Sequence, residues 1–286
     1  MGLSVRAAKK VVVIGGGPCG IEMAGEVRDA NPTADITLVH SGSALLSGKG
    51  NQISNPKLHA KLMARLASRK ITTLLSARVG EVVQGTAHAS MGAAVTVGPC
   101  ECKLIAGNSS NSATEFTKLT SEALVDIDLV INAVGSGKPN TAWLANSPLA
   151  SALDESGAVL CGRSYAVSGF EENIFTFGDC AAGPDAKAGW LLDDAATVVC
   201  SNIRTLALAS LNAVKNTLVS PKLKEAPKDG YTGIILIPIG AKDGAGQLPF
   251  GVVGPWVTSA IKGDLFLGMV ASEFGYTKAE LLALQK

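Results

Sequence analysis

Apolar positions in the first third of the chain switch between two periods. Val11 to Ile14 form a continuous β-branched run that stops at glycine, the pattern of a strand buried on both faces. Ile21, Ala24, Gly25 and Val27 then recur at helical spacing. DITLVH (35–40) predicts a second strand. Residues 55–70 predict an amphipathic helix, with Leu58, Leu62, Met63 and Leu66 on one face and basic residues on the other, and ITTLL (71–75) a third strand. Strand, helix, strand, helix, strand is one half of a doubly wound α/β sheet.

From 79 to 119 the pattern shortens into alternating pieces such as AAVTV (93–97) and CECKL (100–104), which predict an antiparallel excursion with the polar GNSSNSATE (107–115) as its tip. DIDLVINAVG (126–135) returns as a buried strand and GSGKPNT (135–141) as a turn, so a boundary is expected near Thr141, dividing the chain into 1–141 and 142–286. Beyond it, AVLCGRSYAV (158–167) reads as a hairpin, and NIFTFGDCAAG (173–183) as a buried strand that ends by aiming Asp179 at a partner. A helix of about 25 residues follows from Lys187 to about Leu211. GIILIPIG (233–240) and DLFLG (264–268) predict strands of a small terminal layer, and TKAELLALQK (277–286) a closing helix.

Composition sharpens this. Charged residues are 17% and glycine is 32 of 286, which suits buried parallel strands with tight turns around a ligand. A net charge of +1 without a dense basic cluster argues against a nucleic-acid partner. The six cysteines form no C-x-x-C pair and have no histidine cluster beside them, so reduced thiols in a cytoplasmic protein are expected, and no metal site. Cys100 and Cys102 would share one face of a strand. No run reaches the ~18 apolar residues of a membrane helix.

Chemistry enters with Gly15-Gly16-Gly17-Pro18-Cys19-Gly20, a G-x-G-x-x-G that follows a strand and opens a helix. In a dinucleotide site Gly15 makes the tight turn, Gly17 admits the pyrophosphate to the backbone, and Gly20 lets helix and strand approach, with helix-start amides facing the phosphates. The alternative is a glycine turn with no ligand. Where an acid would read the ribose at the end of the second strand stands His40. Neutral His40 would accept a hydroxyl proton and protonated His40 would tolerate a 2′-phosphate, so NADH and NADPH stay open, as does a plain surface role. Glu22 either complements the helix dipole or contacts the nicotinamide. None of Tyr165, Tyr231 and Tyr276 has a lysine four residues on, which excludes the short-chain dehydrogenase pair. The absence of an evident acid–base machine fits hydride transfer to a flavin, where the cofactor carries the chemistry.

VVVIGGGPCGIEMAGEV, ITLVHSG, INAVGSGKPNT and NIFTFGDCA, in that order, resemble the pyridine-nucleotide:flavin oxidoreductases. KDGAGQL (242–248) and GDLFLG (263–268) extend the likeness to the apoptosis-inducing-factor-like branch that includes ferroptosis suppressor protein. The resemblance implies a Rossmann-type NAD(P)-binding domain at 1–141 and the C-terminal part of an FAD/NAD(P)-binding flavoprotein fold at 142–286. It implies Gly178 and Asp179 on the ribityl chain of FAD, the following helix pointing its start at the flavin, and Ala133, Val134 and Gly135 lining the NAD(P)H site through the backbone. Asp179 as the N-cap of that helix is the alternative. The activity implied is NAD(P)H oxidation through FAD to a small-molecule, quinone-like acceptor, in a cytoplasmic protein with peripheral contact at membranes or lipid droplets. The sequence holds one such glycine fingerprint, so the family's N-terminal FAD-binding segment is expected to be lacking; a nucleotide-binding module without turnover, or a dehydrogenase without flavin, are the rival readings.

Overall fold

The strand β1 (Lys10–Ile14) sits at the centre of a seven-stranded sheet and is buried on both sides, as its unbroken apolar run requires. The computed structural model describes residues 2–47, 55–83, 85–90, 93–106, 123–135, 138–183, 192–214, 221–227, 234–265 and 267–283. The described chain divides into two units, Met1–Gly135 with Gly233–Lys286, and Ser136–Thr232.

In the first unit α1 (Gly2–Ala7) leads into β1, which is followed by α2 (Pro18–Ala30), β2 (Asp35–Val39), α3 (Pro56–Ser68) and β3 (Ile71–Leu74). The antiparallel excursion follows as β4 (Ala77–Val83), β5 (Thr86–Ser90) and β6 (Ala93–Ala106), and β7 (Leu124–Asn132) closes the sheet. The strand order is β3-β2-β1-β7-β6-β4, with β5 paired to β6. β1 is parallel to both β2 and β7, so the connections leave β1 in opposite directions, the topology that opens a crevice at the strands' carboxyl ends. Alternation along β1 splits the core. Val11 and Val13 join Ile21, Ile36, Leu38, Leu58 and Leu62 on one face, and Val12 joins Val39, Val130, Cys100 and Cys102 on the other. The two cysteines share that apolar cluster, and burial pushes the Cys102 thiol up to about 11. No disulfide joins the six cysteines. The predicted tip at 107–115 lies outside the described residues.

The sequence reading kept 142–286 together, but the residues from Gly233 onward pack on the first unit. β10 (Ile235–Pro238), β11 (Gly244–Leu248) and β12 (Gly251–Val253) make a three-stranded antiparallel sheet whose Ile237, Ile239 and Ala245 are fully buried in the first unit's core. Gly25 on α2 makes this possible, because a Cβ there would collide with the backbone of Ile239 and Gly240. Arg65 of α3 grips Asp243 with two bonds of 2.6 and 2.8 Å, and Asp29 accepts the Ala241 N–H at 2.8 Å. Helices Pro255–Lys262, Leu267–Glu273 and Lys278–Ala283 complete the unit. The strand expected at DLFLG is instead a turn at Asp264 and Leu265 followed by a helix from Leu267. A run of three apolar residues does not distinguish the two states, and the buried Ala271 one turn further on settles it for a helix.

The second unit is irregular. Two 3₁₀ helices, Ala142–Asn146 and Pro148–Ala152, precede β8 (Val159–Leu160), which pairs in parallel with β9 (Ala181–Ala182). The expected 158–167 hairpin is a single Cys161–Val167 bridge, and the strand expected before Asp179 is a single Ala166–Phe175 bridge. Gly178, at φ +78°, ends that extension. The long helix α4 is described over Leu192–Val214; its predicted start at 187–191 lies outside the described residues. Its buried Ala195, Val198 and Val199 pack on Tyr165 and Ala226. Asn202, fully buried, accepts the Lys224 N–H at 2.7 Å and donates to the carbonyls of Ser164 and Lys224, pinning the 221–227 segment to the helix.

Candidate functional site

The turn from β1 into α2 is closed from three sides. Gly15 has φ +118°, and a Cβ on it would meet the Ala133 carbonyl oxygen at 2.8 Å. Its N–H donates to Val39 O at 2.8 Å. The Gly16 N–H donates to His40 Nδ1 at 3.1 Å, and the Gly16 carbonyl accepts the Leu46 N–H at 2.9 Å. Gly17 is the N-cap of α2 and brings no capping side chain, and Pro18 follows it. The first-turn amides of α2 therefore have no side-chain acceptor from the cap, which leaves a positive helix end for an anion. A Cβ on Gly20 would collide with the Gly15 carbonyl, so the helix start lies directly on the turn.

A cavity of about 510 Å³ opens beside this turn, over the carboxyl ends of β1, β2 and β7. Ile14, Gly15, Val39, His40, Asn132 and Val134 line it from those strands. Ala133 is tied to β1 through its N–H on Ile14 O at 2.8 Å. Val134 is 61% exposed, and Gly135 is exposed with φ +73° and no heavy atom within 4 Å of a would-be Cβ. Of these three residues Val134 lines the cavity. Sequence reading missed the far wall, which is Ser41, Arg78 and Glu81. β4 carries the last two, and no local pattern announces that an antiparallel strand will lie beside the end of β2.

His40 faces inward. The residue is 8% exposed, and with Nδ1 occupied by Gly16, Nε2 hydrogen-bonds Ser47 Oγ at 3.1 Å. Accepting from an amide at Nδ1 fixes the neutral Nε2–H tautomer, so Nε2 donates to Ser47. Burial holds its pKa below the ordinary imidazole value; the Ala44 carbonyl works against this and His59 with it. Both ring nitrogens thus serve the glycine turn and the loop after β2. Glu22 is likewise committed elsewhere: Lys262 Nζ donates to its Oε1 at 2.6 Å. Burial raises the Glu22 pKa, opposed by the lysine. Gly178 and Asp179 belong to the second unit, in a 3₁₀ turn, with Asp179 exposed. Twelve residues lie between Asp179 and Leu192, where α4 begins among the described residues.

A family profile described as pyridine nucleotide-disulphide oxidoreductase matches residues 3–196. Ferroptosis suppressor protein 1 of Xenopus tropicalis is 27% identical over 274 residues, a match that covers 96% of this chain and 63% of that protein. Apoptosis-inducing factor homolog B of Dictyostelium discoideum is 26% identical over 286 residues, covering 96% of this chain and 65% of that one. The chain thus spans under two thirds of the length of these two relatives. Among solved structures, an FAD-dependent pyridine nucleotide-disulphide oxidoreductase from Desulfovibrio vulgaris shares the fold, with a TM-score of 0.52 and 20% identity over 84% of this chain and 49% of that one.

Proposed function

The chain belongs to the pyridine nucleotide-disulphide oxidoreductase family, and from that premise we propose that it binds NAD(P)H at the Gly15–Gly20 turn and serves electron transfer through FAD to a small-molecule acceptor of the quinone class. One observation carries the nucleotide half of this reading: the cavity over β1, β2 and β7 has Gly15 in its wall, beside a helix start without a side-chain cap. The residues fit that ligand. Gly15 and Gly20 leave no space for side chains where the pyrophosphate would approach, and the amides that open α2 would hold its charge. Ala133, Val134 and Gly135 would offer backbone groups to the nicotinamide end, and the apolar floor of Ile14 and Val39 excludes water from one side.

FAD fits in part. Gly178 and Asp179 would take the ribityl hydroxyls, Asp179 as acceptor. Among the described residues the Gly15–Gly20 cradle is the one of its kind, and we assign it to NAD(P)H. Bound FAD would supply a hydride acceptor that releases electrons to the next carrier. A cytoplasmic location with peripheral contact at membranes or lipid droplets belongs to the same reading, supported by the exposed aromatic rings of Phe250 and Trp256. No helix among the described residues is long and apolar enough to cross a membrane.

The one phosphate cradle among the described residues also favours a second reading, a nucleotide-binding module without turnover. Calorimetric titration with NADH and NADPH tests what the two share. Gly17→Val should weaken binding by about 2 kcal/mol, roughly thirtyfold. Unchanged affinity would sink the assignment. Flavin absorbance of the purified protein, with quinone-dependent NAD(P)H oxidation, separates the two.

A further inference from the structure

Among the described residues α4 is packed along one side. Ala195, Val198, Val199 and Asn202 are buried there. A neighbouring stripe carries Leu192, Ala196, Cys200, Ile203, Ala207 and Leu211, which fall within about 100° of the helix circumference at 3.6 residues per turn. Leu192 is 42% exposed, Ile203 51% and Leu211 61%, and Cys200 and Ala207 are exposed with them. None of the six is charged. Asp193, Arg204 and Ser210, all exposed, stand at the edges of the stripe. An apolar stripe with a polar border has the anatomy of an interface, where a solvated helix face would be polar throughout.

The order of residues along the stripe fits one partner in particular, because it is symmetric about its middle. Leu192 and Leu211, Ala196 and Ala207, Cys200 and Ile203 each lie equally far from the point between Ser201 and Asn202. A second copy of the helix, laid antiparallel across a two-fold axis at that point, matches every level with its counterpart. Leucine meets leucine at the two ends, alanine meets alanine between them, and Cys200 and Ile203 of both copies flank the axis. The alanines let the helices approach and the leucines close the ends. The stripe is about 30 Å long, and two such faces bury on the order of 1,000 Å², the lower end of specific interfaces. The pairing is therefore reversible.

We propose that the Leu192–Leu211 stripe of α4 joins this chain to a second copy of itself in an antiparallel, two-fold symmetric dimer. This is independent of what the Gly15–Gly20 turn binds. Ile203 and Ser201 are both exposed, so replacing either leaves the core intact.

Sedimentation equilibrium of the purified chain should show monomer and dimer exchanging with a dissociation constant on the order of 10 μM. Ile203→Lys puts a charge beside the axis and should weaken the dimer at least about tenfold. Ser201→Lys, on the same helix but off the stripe, should leave it within about twofold. The register is read with a short bis-maleimide on a Cys19→Ser protein. The two Cys200 side chains lie about 4.5 Å apart along the axis of the pair, so a covalent dimer should form, and Cys200→Ala should abolish it. A chain that stays monomeric up to about 200 μM would overturn the proposal. So would equal weakening by Ile203→Lys and Ser201→Lys, or a dimer whose Cys200 does not cross-link. A monomer whose Cys200 is shielded from maleimide when a relative's N-terminal FAD-binding segment is added would give the face to that segment, and overturns it as well.

Discussion

A histidine with both nitrogens engaged titrates against the fold. The neutral ring of His40 accepts the Gly16 amide, and its pKa is held down mainly by burial, with His59 adding to the effect. A group whose folded pKa is lowered contributes stability that is complete above its unfolded value of about 6.5 and is lost as pH falls through the folded value. Acidification below about pH 6.5 should therefore lower the melting temperature, and once the folded ring is protonated NADH and NADPH should weaken together, because a protonated Nδ1 no longer accepts from the turn. His40→Asn keeps an acceptor near Nδ1 and should flatten that dependence; NADPH affinity that rises on acidification while NADH affinity does not would instead return the ribose to His40. The glycines separate just as cleanly. Gly15→Ala has to fit a Cβ 2.8 Å from a backbone oxygen at φ +118°, and should cost at least about 3 kcal/mol in urea unfolding. Gly135→Ala meets no neighbour and bears only its φ of +73°, about 1–2 kcal/mol. Similar costs at the two sites would show that the turn is not closed as described.

Elements whose signal is local were legible in the sequence. β1, α2, β2, α3 and β3 each carry their own period, and the glycine fingerprint lies between two of them. What escaped depends on partners far along the chain. Lys262 reaches Glu22 across 240 residues, and Asp243 reaches Arg65 across 178, so nothing near Gly233 announces that the terminal layer returns to the first unit. Arg78 escaped for the same reason, as its place beside β2 is set by backbone pairing and not by any motif. The Arg65–Asp243 pair offers a direct test of the docked layer. The Asp243 side chain is 8% exposed and that of Arg65 36%, so Asp243→Ala should cost about 1–3 kcal/mol, less than a fully buried pair. Asp243→Ala with unchanged urea stability would mean that the layer is held by its apolar contacts alone. In the second unit, Asn202→Leu would orphan the Lys224 amide and two carbonyls, for about 2–4 kcal/mol.

At the scale of the whole molecule, the groups proposed for the nucleotide and those proposed for the flavin are unequally built among the described residues. The first unit holds the Gly15–Gly20 cradle, the cavity and its far wall. The second holds Gly178 and an exposed Asp179. A flavin dinucleotide draws much of its affinity from its pyrophosphate, where each charge-assisted hydrogen bond adds about 1.5–3 kcal/mol. A ribityl carboxylate alone does not replace those bonds. The chain is therefore expected to purify without stoichiometric FAD, to bind added FAD weakly, and to show little NAD(P)H:quinone turnover while still binding NAD(P)H. Adding an N-terminal FAD-binding segment from a relative should raise flavin retention, and Asp179→Ala in that fusion should abolish the gain, since the carboxylate would then be the acceptor for the ribityl hydroxyls. The readouts are flavin absorbance of the purified protein and quinone-dependent NAD(P)H oxidation. A yellow, active preparation of the chain as it stands would refute the expectation and would require a second phosphate cradle outside the residues described.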